Sequence, residues 1–210
     1  ALHPSGSLAP FLDRILGAAE APAVQTGRPE REAAAALLAL ARLCGTHELR
    51  YRFDRLLPEG AFAEPVPMRL TPCGTAGLHD RPDLARRFLA SAATEAAGRL
   101  RNAGPGGLQG GGTALPGPEA RHFDFAHLLA HHSGRAFALR VLDTAPADWP
   151  ALRERIRAAG VIPPLDGLPP PMTIVTLRDR YGGPTHPSFR EMTRQIDAAI
   201  ARLPIHADLP

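Results

Sequence analysis

Apolar side chains recur along this chain at spacings of three and four, the period of a helix face, far more often than at two. In residues 7–20, Leu8, Phe11, Leu12, Ile15 and Leu16 share one face, and Ser7 stands ahead of them as an N-cap. Residues 28–45 combine strong helix formers with early glutamates and end on Gly45. Residues 80–100 predict a long helix with Asp80 as its N-cap and Pro82 in its first turn. Further helices are predicted over 123–143, over 146–160 with Gly160 as the stop, and from about His186 to Leu203, where His186 starts or caps the helix. Two short alternating stretches, "LRYRF" (49–53) and "VPMRL" (66–70), flank the turn "LPEG" and predict one short β-hairpin.

The 23 prolines and 20 glycines gather between these segments. Residues 102–121 have too few apolar side chains to build structure and read as a Gly/Pro-rich flexible loop. This loop lacks the G-x-x-x-x-G-K-[ST] spacing that cradles phosphates. "VIPPLDGLPPPM" reads as an extended strap, because the residue before each proline is pushed out of the helical region. "RDRYGGPTHPSF" (178–189) reads as a turn. Without repeats or strand–helix alternation, the expectation is a mainly α, single-domain helical bundle over 1–210 with long Gly/Pro-rich loops.

Composition excludes several classes. A hydrophobic fraction of 44% over 210 residues suits one ample core. All 24 basic residues are arginine, and Asn102 is the single asparagine, a bias that a GC-rich bacterial genome produces. The net charge is only +3, the arginines are scattered among acids, and aromatic residues are few, so no nucleic-acid partner is expected. No apolar run approaches the roughly 20 residues of a transmembrane helix. The opening "ALHPSGSLAP" reads as the start of a mature secreted protein whose signal peptide has been removed. Cys44 and Cys73 form a disulfide in an oxidising compartment or stay as thiols in a reducing one, and export favours the disulfide.

Candidate chemistry concentrates in "RHFDFAHLLAHHSGR", where His122, His127, His131 and His132 fall within eleven positions. On a helix, residues four apart are neighbours, so His127 and His131 can share one ion, with Asp124 one turn earlier as a further ligand. His132 points about 100° away. No H-E-x-x-H supplies the glutamate of a zincin. The 80–100 helix carries Arg87, Ser91 and Glu95 at i, i+4 and i+8, and Gly134 with Ala138 gives the His127 stripe a surface that another helix can approach closely. Facing one another, Arg87, Ser91, Glu95, His127 and His131 make a polar inter-helix cluster. The same five residues lining a pocket offer Glu95 as a general base and Arg87 as an anion holder. Ser91 and Ser133 lack a nucleophile elbow.

The segments "RPDLARRFLASAA" and "HFDFAHLLAHHSGRAFA", with the tail from 161 to 204, resemble an uncharacterised proteobacterial family related to the YfiM-like predicted periplasmic lipoproteins. The family pattern reads approximately D-L-A-x-H-F-x-x-S-A-A, then G-S-G-F-S-F-x-D-L-A-A-D-x-A-G. Phe123, Phe125, Leu128 and Gly134 match it, whereas Arg87 replaces its histidine and His127 and His131 replace its two aspartates. The resemblance implies a mostly helical, exported protein. Two functional expectations follow. One is a periplasmic or secreted protein with a structural or envelope-associated binding role and no cofactor. The other is a zinc-dependent envelope hydrolase with His127, His131 and Asp124 as ligands and Glu95 as base.

Overall fold

The computed structural model describes residues 7–44, 76–102 and 122–208. Its helices are α1 (Ala9–Thr26), α2 (Pro29–Cys44), α3 (Pro82–Asn102), α4 (Phe125–Asp143), α5 (Trp149–Ala159), α6 (Ile174–Tyr181) and α7 (Pro187–Ala201). Two-residue strands β1 (His122–Phe123) and β2 (Met172–Thr173) pair antiparallel, His122 with Thr173 and Phe123 with Met172. The chain is mainly α, as the apolar period predicts. The expected hairpin segments 49–53 and 66–70, the 103–121 part of the expected loop, and Cys73 lie outside the described residues.

Several local expectations need correction. Helix α1 runs on from residue 20 to Thr26, through Pro22. Leu12, Leu16, Ala19 and Ala23 keep one buried stripe across the proline, while Ala18 and Ala21 are exposed, so water can satisfy the carbonyl that Pro22 leaves free. Ser7 does accept a hydrogen bond from Ala9 N at 3.3 Å, although Leu8 stands at the cap position itself. Asp80 is not an N-cap. It and His79 have φ of 58° and 52° in a tight turn, where Leu78 and Arg81 exchange both backbone hydrogen bonds at 3.2 and 3.1 Å. Part of the expected 178–189 turn is helix α6, capped by Thr173, which accepts from Thr176 N, and stopped by Gly182 at φ 64°. His186 caps α7, its Nδ1 accepting from Ser188 N at 3.2 Å.

Cross-helix bonds reveal the topology. Asp83 meets His127, the backbone of Phe88 meets Gly134, Glu95 meets Arg135, and Arg99 meets Asp143. Numbers rise together on both helices, so α3 and α4 are parallel neighbours. The α4–α7 contact is parallel as well, running from Phe125–Phe189 through His132–Asp197 to Arg140, which donates to the carbonyl of Ile205. Helix α2 returns against α3, since Arg99 near the end of α3 pairs with Glu30 at the start of α2. Helix α5 lies antiparallel on α1, where the Arg153 guanidinium bridges Asp13 and Glu20 over Gly17.

One hydrophobic core links these helices. Phe88 and Phe137 pack within it, their rings tilted by 45° with centroids 5.4 Å apart. Fully buried Trp149 donates its indole N–H to the carbonyl of Thr144 at 3.0 Å. Phe123, Phe125, Tyr181 and Phe189 pack at the end where α4 begins. Among the described residues, no helix is long and apolar enough to cross a membrane.

Candidate functional site

The α3–α4 seam holds most of the residues singled out from sequence. Glycine makes it tight. A Cβ on Gly134 would lie 2.1 Å from the carbonyl oxygen of Phe88, so only glycine lets the two backbones approach this far. Buried Ser91 lies farther along α3. Parallel helices also place two positive dipole ends side by side, which favours carboxylates at that end. Asp83 occupies the first turn of α3, and Asp124 is the N-cap of α4, accepting from Ala126 N at 2.8 Å.

Arg81 joins them. Its Nη2 donates to Asp83 at 2.6 Å and to Asp124 at 2.9 Å, and stands 3.4 Å from His127 Nε2. His127 Nε2–H donates to Asp83 at 2.7 Å and lies 4.0 Å from Asp124. Partial burial tends to raise the Asp83 carboxyl, but hydrogen bonds from Arg81 and His127 overcome it and hold the group well below the usual carboxylate range. The hydrogen bond to Asp83 outweighs the cost of burial for Arg81 and raises its guanidinium.

The expected five-residue cluster is therefore divided. His127 turns to Asp83, a residue the sequence reading did not single out. Glu95 pairs with Arg135 at 3.2 Å instead of approaching the histidines as a base. His131 is half-buried beside His132, with ring centroids 5.8 Å apart, and is pushed down to about 4, first by burial and then by the charges of His132, Arg87 and Arg135. His132 Nδ1–H donates to Asp197 of α7 at 2.6 Å. Exposed His122 belongs to β1.

Nor do His127, His131 and Asp124 converge on one point. The Arg81 guanidinium fills the space between the two carboxylates, so a positive charge is already present where a metal would need to sit. Among the described residues no group of three or more His, Cys, Asp or Glu side chains is arranged to hold a metal ion. His127, His131 and Asp124 therefore do not form a zinc donor set among the described residues. Ser133 is fully buried and its hydroxyl has no hydrogen-bond partner among the described residues, the opposite of an activated nucleophile. A small cavity between Leu8, Cys44, Pro82 and Leu89 has about 20 Å³, room for one water. Cys44 is disulfide-bonded.

Arg81 and Asp83 carried a weak signal in the sequence. "HDRPDLA" places an acid in the first turn of a predicted helix, where the dipole favours it. Nothing local indicates that Asp124, 41 positions later, shares the same arginine. No known protein family, curated protein or solved structure matches this chain.

Proposed function

We propose that this chain is an exported bacterial protein with a structural or envelope-associated binding role, in which the α3–α4 seam fixes the fold and carries no hydrolytic chemistry. One observation carries this reading. The acid, base and ligand candidates at the start of the seam are engaged with charges from the same chain, Arg81 by Asp83 and Asp124, and His127 by Asp83. A general base or metal ligand needs a lone pair facing a substrate or ion, and the carboxylates of Asp83 and Asp124 and the Nε2 of His127 face partners of the same chain instead. The disulfide at Cys44 supports export, since such bonds persist in oxidising compartments.

The test has two parts. Protein recovered from the bacterial periplasm, denatured and treated with a thiol reagent, should show no free thiol by mass spectrometry. Incubation with zinc followed by dialysis should leave far less than one zinc per chain. Two free thiols would remove the support for export. Near-stoichiometric zinc, lost in both His127→Ala and His131→Ala, would replace the binding role with the hydrolase.

A further inference from the structure

Along one edge of α4, His127, His131 and Arg135 succeed one another at one-turn spacing and face α3. The outer two rungs are complementary. His127 meets the carboxylate of Asp83 and Arg135 meets that of Glu95. The middle rung breaks the pattern, because the charges acting on His131 are those of Arg87 from α3 and of His132 and Arg135 from its own helix, with no carboxylate among them. From α7, the nearby acid Asp197 is held by His132 Nδ1 at 2.6 Å. Arg87 is exposed and makes no ion pair among the described residues. On the α3 stripe that faces this rung, between the Asp83 and Glu95 contacts, the Arg87 guanidinium has N–H donors with no carboxylate partner among the described residues.

From this juxtaposition we propose that Arg87, His131 and Arg135 bind a phosphate-type oxyanion across the α3–α4 seam. Geometry favours a tetrahedral oxyanion over a planar carboxylate. The donors come from two helices, and a tetrahedral oxyanion has more acceptor oxygens with which to engage three side chains together than a carboxylate has. Guanidinium groups suit phosphate oxygens through paired N–H donors. Glu95 keeps one side of Arg135, so the anion shares that arginine and draws chiefly on Arg87 and His131. Two sources carry this chemistry, free inorganic phosphate and the headgroup of an anionic phospholipid. The inference gives a ligand to the binding role proposed above and rests on it. Thiol and zinc measurements decide that role without touching the phosphate readout.

Thermal unfolding and amide NMR on the full chain test the site. Inorganic phosphate should raise Tm by about 2–4 °C over sodium chloride of equal ionic strength. It should also shift the amide resonances of Arg87, His131 and Arg135 above those of the remaining helices. Arg87→Gln, at an exposed position that leaves the core intact, should abolish both effects, and His131→Gln should weaken them. Sedimentation with phosphatidylglycerol vesicles but not phosphatidylcholine vesicles, lost in Arg87→Gln, would assign the lipid source. A phosphate effect without vesicle binding would assign the free anion. A rise in Tm that chloride reproduces, or one that Arg87→Gln leaves unchanged, would overturn the site.

Discussion

Gly134 sits where α3 and α4 come closest, and its missing side chain is a structural requirement. A Cβ there would stand 2.1 Å from the carbonyl oxygen of Phe88, a rigid backbone atom that can yield only by moving the helix. Gly134→Ala should therefore cost at least about 2 kcal/mol in denaturant unfolding, although alanine is the better helix former. Ser133, its neighbour, has the opposite expectation. Its buried hydroxyl has no partner among the described residues, so Ser133→Ala removes an unsatisfied group and should leave stability unchanged or raise it by up to about 1 kcal/mol. A loss larger than that would show that the hydroxyl is bonded. Arg81 is partly exposed, yet it is the cation shared by Asp83 and Asp124. Arg81→Ala should destabilise by about 1–2 kcal/mol, most of it from leaving Asp124 buried beside Asp83 without a counter-charge. Equal stability of the variant and the parent chain in urea titration would refute that role.

Between α3 and α4 the electrostatics make stability depend on pH in two separate windows. His131 is pushed down to about 4 in the folded protein, so in the unfolded chain it takes up a proton at higher pH. The unfolded state binds more protons between about 6.5 and 4, and stability is lost as pH falls through that range. His206, lowered by burial and by Arg140, acts in the same direction. Partial solvent exposure limits the His131 contribution to about 1 kcal/mol. Tm measured from pH 7 to pH 4.5 should decline, and His131→Gln should flatten part of the decline. Asp83, held below the usual carboxylate range, contributes stability above about pH 4 that is lost only in stronger acid. An unchanged slope in His131→Gln would remove the histidine from this account.

Over the whole molecule, α3, α4 and α7 run the same way and collect their N-termini at one end, beside the aromatic group of Phe123, Phe125 and Phe189. Parallel neighbours cannot be joined by a short turn, and between α4 and α7 the chain travels back through α5 and the proline-rich strap. A core shared by all these helices implies one cooperative unit. Trp149 is the single tryptophan and fully buried, so its fluorescence reports that core directly. Guanidinium unfolding followed by Trp149 emission and by far-ultraviolet circular dichroism should give coincident transitions. Separated midpoints would show that part of the bundle unfolds independently.

Much of this was readable along the chain. The apolar period predicted most of the helices, His186 and Gly160 marked two of their ends, and Gly134 marked the close approach. These features are local, fixed by backbone geometry and by side chains within a turn of one another. The first helix runs past its expected end at residue 20, and helix α6 enters the expected 178–189 turn, because Ala23 and Leu177 are buried in the core. What the amino-acid order by itself determined is therefore the helices, their apolar faces and a polar stripe on each of α3 and α4. Only the tertiary structure decided how those stripes meet. Their parallel register matches Asp83 with His127 and Glu95 with Arg135, and leaves Arg87 beside His131. Such pairing depends on the relative offset of two helices packed through Gly134, a distance in space that neither helix encodes alone.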